Sequence, residues 1–166
     1  MESILVPVVT ALAGLVGVIV GAVLPIILSW RHERRQDLES LLRASRLIQE
    51  DLLRGQRRLE NALKDGQMTE ETLPLPSKSW AEKKEVLALR LGSDAWTSVS
   101  EACVAFEQVY STGLRWLGPE RVSDPFDSGD EDRLAKVIRQ SEIAQTKLDA
   151  FSGEVSADIR ALGRRG

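Results

Sequence analysis

From Ile4 to Trp30 the chain carries no charged side chain, and Arg31, His32, Glu33, Arg34 and Arg35 follow at once. About 20 consecutive apolar residues are enough for a helix to cross the ~30 Å hydrocarbon core of a bilayer. This run is longer and is apolar on every face, so it predicts a transmembrane anchor over residues 1–30. Beyond Arg35 the pattern becomes amphipathic. Leu38, Leu41, Leu42, Ile48, Leu52, Leu59 and Leu63 recur at the offsets of one helix face. They predict a helix over 31–64, stopped at Asp65-Gly66. Nothing between Trp30 and Leu38 breaks a helix, so it can continue directly out of the span.

Three further helices follow. Ser79-Trp80-Ala81-Glu82 has the capping-box spacing, in which hydroxyl and carboxylate satisfy each other's exposed N–H groups. It predicts a short helix over 80–91, ended by Gly92. Ser93 or Asp94 then caps a helix over 94–117 carrying Trp96, Val99, Cys103, Phe106, Tyr110, Leu114 and Leu117, with Gly118-Pro119 beyond it. Ser128-x-x-Glu131 is a second box, opening a helix over 131–162 with Leu134, Ile138, Leu148, Phe151, Val155, Ile159 and Leu162. Gly153 costs that helix about 1 kcal/mol relative to alanine and marks a place for a kink. Residues 67–77, with Pro74 and Pro76, read as a loop.

No strand-like alternation competes, and the fold class is all-α. The expected architecture is a single N-terminal transmembrane helix followed by an elongated antiparallel helical bundle, in two domains, 1–30 and 31–166. The stripes Leu38, Ser45, Leu52, Leu59 and Leu134, Ser141, Leu148, Val155, Leu162 approach a coiled-coil heptad. Ser45, Gly55 and Ser141 interrupt them, which favours packing inside a bundle over a free two-stranded coil.

Charge sets the orientation. Only Glu2 and the amino terminus precede the span, whereas Arg31, Arg34, Arg35, Arg43 and Arg46 crowd its far side. Basic residues are retained in the cytoplasm, so the expectation is a cell-membrane protein with its N-terminus outside and residues 31–166 cytoplasmic. A cleaved signal peptide would need a basic n-region and a shorter apolar core, and neither is present. Within the span, Ala13, Gly14, Gly17 and Gly21 gather small residues, and Gly17-x-x-x-Gly21 has the spacing that lets two membrane helices approach closely. Homo-oligomerisation through that face is therefore an expectation. Pro25, near the end of the apolar run, is expected to kink or end the regular helix.

The remaining composition narrows the function classes. Net charge is −3, and the positive charge is local to the membrane edge, which excludes a general nucleic-acid field. Arg31, Arg34 and Arg35 are the topology signal and a candidate contact for anionic lipid. The one cysteine, Cys103, lies on an apolar stripe and has no histidine partner for nucleophilic chemistry. His32 is the one histidine, and no HxxxH or CxxC spacing suggests a metal site. Asp124, Asp127, Asp130, Glu131 and Asp132 form an acidic loop, but their spacing departs from an EF-hand. No glycine-rich phosphate loop is present. No catalytic, cofactor or metal residue is assigned, and the chain reads as a non-enzyme.

Trp96, Phe106 and Tyr110 fall at helical spacing and read as core, while Trp116 lies partly off their stripe and is the candidate contact for a protein partner. The layout is superficially similar to the b subunit of rotary ATP synthases. Pro74, Pro76, Pro119 and Pro125 divide what is one long helix in that family, so no membership follows. The functional expectation is a single-pass anchored interaction or scaffold module. The alternative is a small membrane-active or regulatory protein, of phage or defence type, that works by oligomerising its span.

Overall fold

The computed structural model describes the backbone of residues 2–117 and 124–164, and their side chains except those of 2–16, 19, 20 and 116. Among the described residues four helices make up the fold: α1 (Glu2–Asp65), α2 (Lys78–Ala88), α3 (Ser93–Trp116) and α4 (Ser128–Arg164). The all-α class is as expected, with no strand among the described residues.

The first helix is one continuous rod. At a rise of about 1.5 Å per residue its 64 residues extend roughly 95 Å. Of the two outcomes expected at Pro25, a kink or an end, the helix does not end there; a missing N–H removes a single hydrogen bond from a ladder that continues on both sides. Gly66 does end it. Its φ of 69° is left-handed, and the N–H groups of Gly66 and Gln67 donate to the carbonyls of Leu63 and Ala62, closing a Schellman turn. Among the described residues no helix is long and apolar enough to cross a membrane. Residues 1–16, 19 and 20 of the expected span lie outside the described side chains.

The bundle begins at Leu38, the first buried side chain of α1 among the described residues, and its seams are antiparallel. Gln49 Nε2 donates to Asp149 Oδ1 at 2.7 Å, the Ser45 and Ser152 hydroxyls meet at 2.8 Å, and Gln145 Nε2 donates to Gln56 Oε1 at 2.7 Å. Rising numbers on α1 thus pair with falling numbers on α4. Lys147 pairs with Asp94 near the start of α3, and Val109 farther along α3 shares a groove with Leu134 nearer the start of α4, so α3 runs antiparallel to α4. Consequently α1 and α3 run in the same direction, a refinement of the simple antiparallel bundle. The loop from Gly66 and helix α2 carry the chain back to make this possible.

The expected stripes form the core. Leu38, Leu41, Ile48, Leu52 and Leu59 of α1 bury against Val99, Cys103 and Phe106 of α3 and Leu134, Leu148 and Val155 of α4. Ser45 and Ser141, expected as interruptions, are also buried and satisfied. Ser45 Oγ donates to Leu42 O, and Ser141 Oγ accepts from Gln145 Nε2. Gly55 has its own reason: a Cβ there would stand 3.0 Å from the Phe106 ring, so glycine lets the ring lie on the α1 backbone. Leu114 departs from its stripe and is 48% exposed, because Gly113 faces inward beside Leu73 instead.

Helix starts differ from those expected, each for an identifiable reason. The cap of α2 is Ser77, not Ser79; its hydroxyl accepts from Trp80 N and donates to Asp51 Oδ2 of α1, which also accepts from Ser79 N. A carboxylate from another helix thus does what Glu82 was expected to do. That helix ends at Ala88, three residues short of Leu91, and Gly92 caps α3 at its start. At α4, Asp127 and Asp130 form the reciprocal box instead of Ser128 and Glu131, so the helix begins at Ser128. It continues unbroken past Gly153 to Arg164. Helix α3 ends at Trp116, one residue short of the expected 117, and Gly118 and Pro119 lie outside the described residues.

Candidate functional site

The region just before the bundle is the most unusual part of the structure. Every described side chain from Gly17 to Trp30 is exposed, including Val23, Leu24, Ile26, Ile27 and Leu28. Among the described residues no other element covers this stretch of α1. Gly17 and Gly21 have open space around them, with nothing within 4 Å of where a Cβ would stand. Ala13 and Gly14, the other expected packing residues, lie outside the described side chains.

Immediately C-terminal comes the basic cluster. The Arg34 guanidinium lies 5.7 Å from the centroid of the exposed Trp30 ring, a cation–π distance. Arg35 Nε donates to Glu39 Oε1 at 2.8 Å, and Arg31 is half-buried. Ser29 donates its hydroxyl to Glu33, while His32 and Gln36 share a 2.9 Å contact. All of these are local pairs within one helix. The arrangement joins an aromatic ring, three arginines and polar side chains at the boundary between an apolar rod and a polar bundle.

A concavity lies elsewhere, between α3 and α4. This open groove has a volume of about 590 Å³ and a floor of Val104, Ala105, Val109, Leu134 and Val137. Glu101, Arg133, Lys136 and Gln140 rim it. The sequence reading missed it, because its floor residues are flank positions of two stripes that were read only for their core faces. On the outer ridge of α1 the sequence reading named Arg43 and Arg46 but not Arg54 and Arg57. There Arg43, Arg46, Arg54 and Arg57 are exposed, and only Arg54 has a described carboxylate within reach, Asp51 at 3.9 Å.

The chemistry-bearing residues are occupied structurally. Cys103 is buried, and desolvation, with the Glu107 and Asp51 carboxylates adding to it, pushes its thiol up to about 12. A thiolate nucleophile is not available there near neutral pH. Asp127 and Asp130 are committed to the α4 cap. Among the described residues no group of three or more His, Cys, Asp or Glu side chains is placed to hold a metal ion. Trp80 and Trp96 stack at 4.9 Å between α2 and α3, with Trp80 buried. The Trp116 side chain, the expected partner contact, lies outside the described residues.

Comparison with protein-family models, with curated proteins and with solved structures finds no match to this chain.

Proposed function

We propose that this protein is a single-pass membrane protein whose α-helical bundle binds or positions a protein partner at the cytoplasmic face of the cell membrane, without catalysing a reaction. One observation carries the reading: α1 leaves the bundle as a bare helix whose described side chains from Val18 to Trp30 are largely aliphatic and all exposed. In water such a surface would be an aggregation liability, whereas hydrocarbon accepts it. The uncharged sequence from Ile4 onward extends it past the length a bilayer needs. Trp30 and the arginines after it then fall where interfacial aromatic and basic residues belong.

The bundle favours a binding role over catalysis. Its buried polar groups are spent on seams and caps, and its one thiol is held neutral. A second reading, oligomerisation of the span itself, draws on the open surroundings of Gly17 and Gly21. Alkaline carbonate extraction of membranes tests the anchored reading. The full chain should stay in the pellet and a chain lacking residues 1–30 should be released. Release of the full chain would overturn it. If Gly17→Ile with Gly21→Ile abolishes self-association in a membrane two-hybrid assay, the oligomerising reading gains; unchanged association removes it.

A further inference from the structure

The α1–α4 register has a consequence at the bundle's lower end. Ser45 meets Ser152 and Gln49 meets Asp149. Each turn toward the N-terminus of α1 is therefore matched by a turn toward the C-terminus of α4. Carried on, this places Arg160 beside the turn of Asp37 and Leu38, and Arg164 beside that of Glu33 to Arg35. Leu38 is buried, and Ile159 and Leu162 pack against the same core, as continued pairing requires. Residues more than 120 positions apart in the chain thus join one basic end. Arg160 and Arg164 are exposed, and neither has an ion-pair partner among the described residues.

We propose that this end of α4 is a second contact with the membrane, in which Arg160 and Arg164 join Arg31, Arg34 and Arg35 on the headgroups of anionic phospholipids. The inference rests on the anchored reading above. With the bilayer edge at Trp30, a rise of about 1.5 Å per residue puts the level of Arg164 roughly 6 Å from that edge and that of Arg160 roughly 11 Å. The Debye length under physiological conditions is about 8 Å, so Arg164 lies within the surface potential and Arg160 at its margin.

At this level Arg31, Arg34, Arg35, Arg160 and Arg164 outnumber the carboxylates of Glu33, Asp37, Glu39 and Asp158, with Glu39 paired to Arg35. At the opposite end Asp65, Glu70, Glu71, Asp124, Asp127, Asp130, Glu131 and Asp132 outnumber Lys64, Arg115, Arg133 and Lys136. The bundle is therefore basic toward the bilayer and acidic away from it, and an anionic surface holds such a body upright. The arginines near the helix end also complement the α4 macrodipole. That role is indifferent to lipid charge, which gives the test its contrast.

The test uses the full chain carrying Ala161→Cys, labelled with an environment-sensitive fluorophore near pH 7, where buried Cys103 does not compete. The labelled protein is placed in nanodiscs of phosphatidylcholine alone or mixed with phosphatidylglycerol, with a headgroup-attached quencher. Quenching should be strong in the anionic discs, weak in the neutral ones, and reduced by salt. Each arginine near the surface is worth about fivefold in surface binding. Arg160→Gln with Arg164→Gln should therefore bring anionic discs close to the neutral level, with unchanged helical content. Equal quenching in both discs, or no effect of the double variant, would overturn the inference while leaving the anchor intact. Failure to insert into either disc would overturn the anchored reading and this inference with it.

Discussion

The hydroxyls of Ser45 and Ser152 meet at 2.8 Å across the seam between α1 and α4, with Ser45 wholly buried. Two small polar side chains there let the helices approach more closely than a leucine layer allows. Residues 36–166 contain this seam and the rest of the core. Expressed without the anchor, they should give a strongly helical far-UV spectrum and a cooperative urea transition. In that fragment Ser45→Leu should cost about 1–3 kcal/mol through overpacking, while Ser45→Ala should cost about 1 kcal/mol. The transition midpoint measures both, and a stabilised leucine variant would contradict the close seam.

Gly55 and Phe106 supply a second, independent pair. The ring lies against the α1 backbone where any side chain would intrude. Phe106→Ala should destabilise the bundle by about 3–5 kcal/mol by leaving a cavity, and Gly55→Val by about 1–3 kcal/mol by forcing the ring away. Neutral outcomes for both would place the ring elsewhere.

Asp51 should behave as part of the α2 cap, although it sits on α1. Ser77→Ala removes a hydroxyl that caps Trp80 N and should cost about 1 kcal/mol. Asp51→Ala should cost a similar amount, because Ser77 Oγ and Ser79 N lose their shared acceptor. The two losses should not add, and a double-mutant cycle measures the shortfall.

These three sites show which features the sequence made legible. Helix number and core faces follow from spacing, since Leu38, Ile48, Leu52, Val99, Phe106 and Leu148 alone satisfy a helical period. Ser45 and Ser141 looked like breaks in a stripe, because Ser45 meets Ser152 on α4, and Ser141 accepts from a Gln145 that also reaches Gln56 on α1, links only tertiary register makes. Met68 and Leu73 were read as loop, yet both are buried, with Arg58 Nη1 donating to the Leu73 carbonyl to hold the loop down. A loop that folds back over a core has no periodicity to betray it. The caps moved for the same kind of reason, because local spacing cannot see a carboxylate such as Asp51 arriving from α1. Of the candidate site, Arg31, Arg34 and Arg35 were legible as a cluster. The approach of Arg160 and Arg164 to their level required the α1–α4 register.

Cys103 gives a pH dependence of known sign. Below about 9 the thiol is protonated in the folded and the unfolded chain alike. Between that value and about 12 the unfolded chain loses the proton and the folded chain keeps it. The unfolded state then binds fewer protons, so this group makes stability fall as pH rises through that window. At pH 8 a thiol reagent should modify the native protein only through unfolding, and the urea-unfolded chain at once. Prompt reaction of the native protein would place Cys103 at the surface.

The central claim is that the bundle hangs from a membrane anchor on the cytoplasmic side, with the basic cluster setting orientation. Paired reporters fused after Gly166, one active only in the cytoplasm and one only outside it, test this most directly. The account predicts signal from the cytoplasmic reporter alone, in the membrane fraction, and its reduction when Arg31, Arg34 and Arg35 are replaced together by glutamine. Signal from the external reporter, or a cytoplasmic signal found wholly in the soluble fraction, would contradict it.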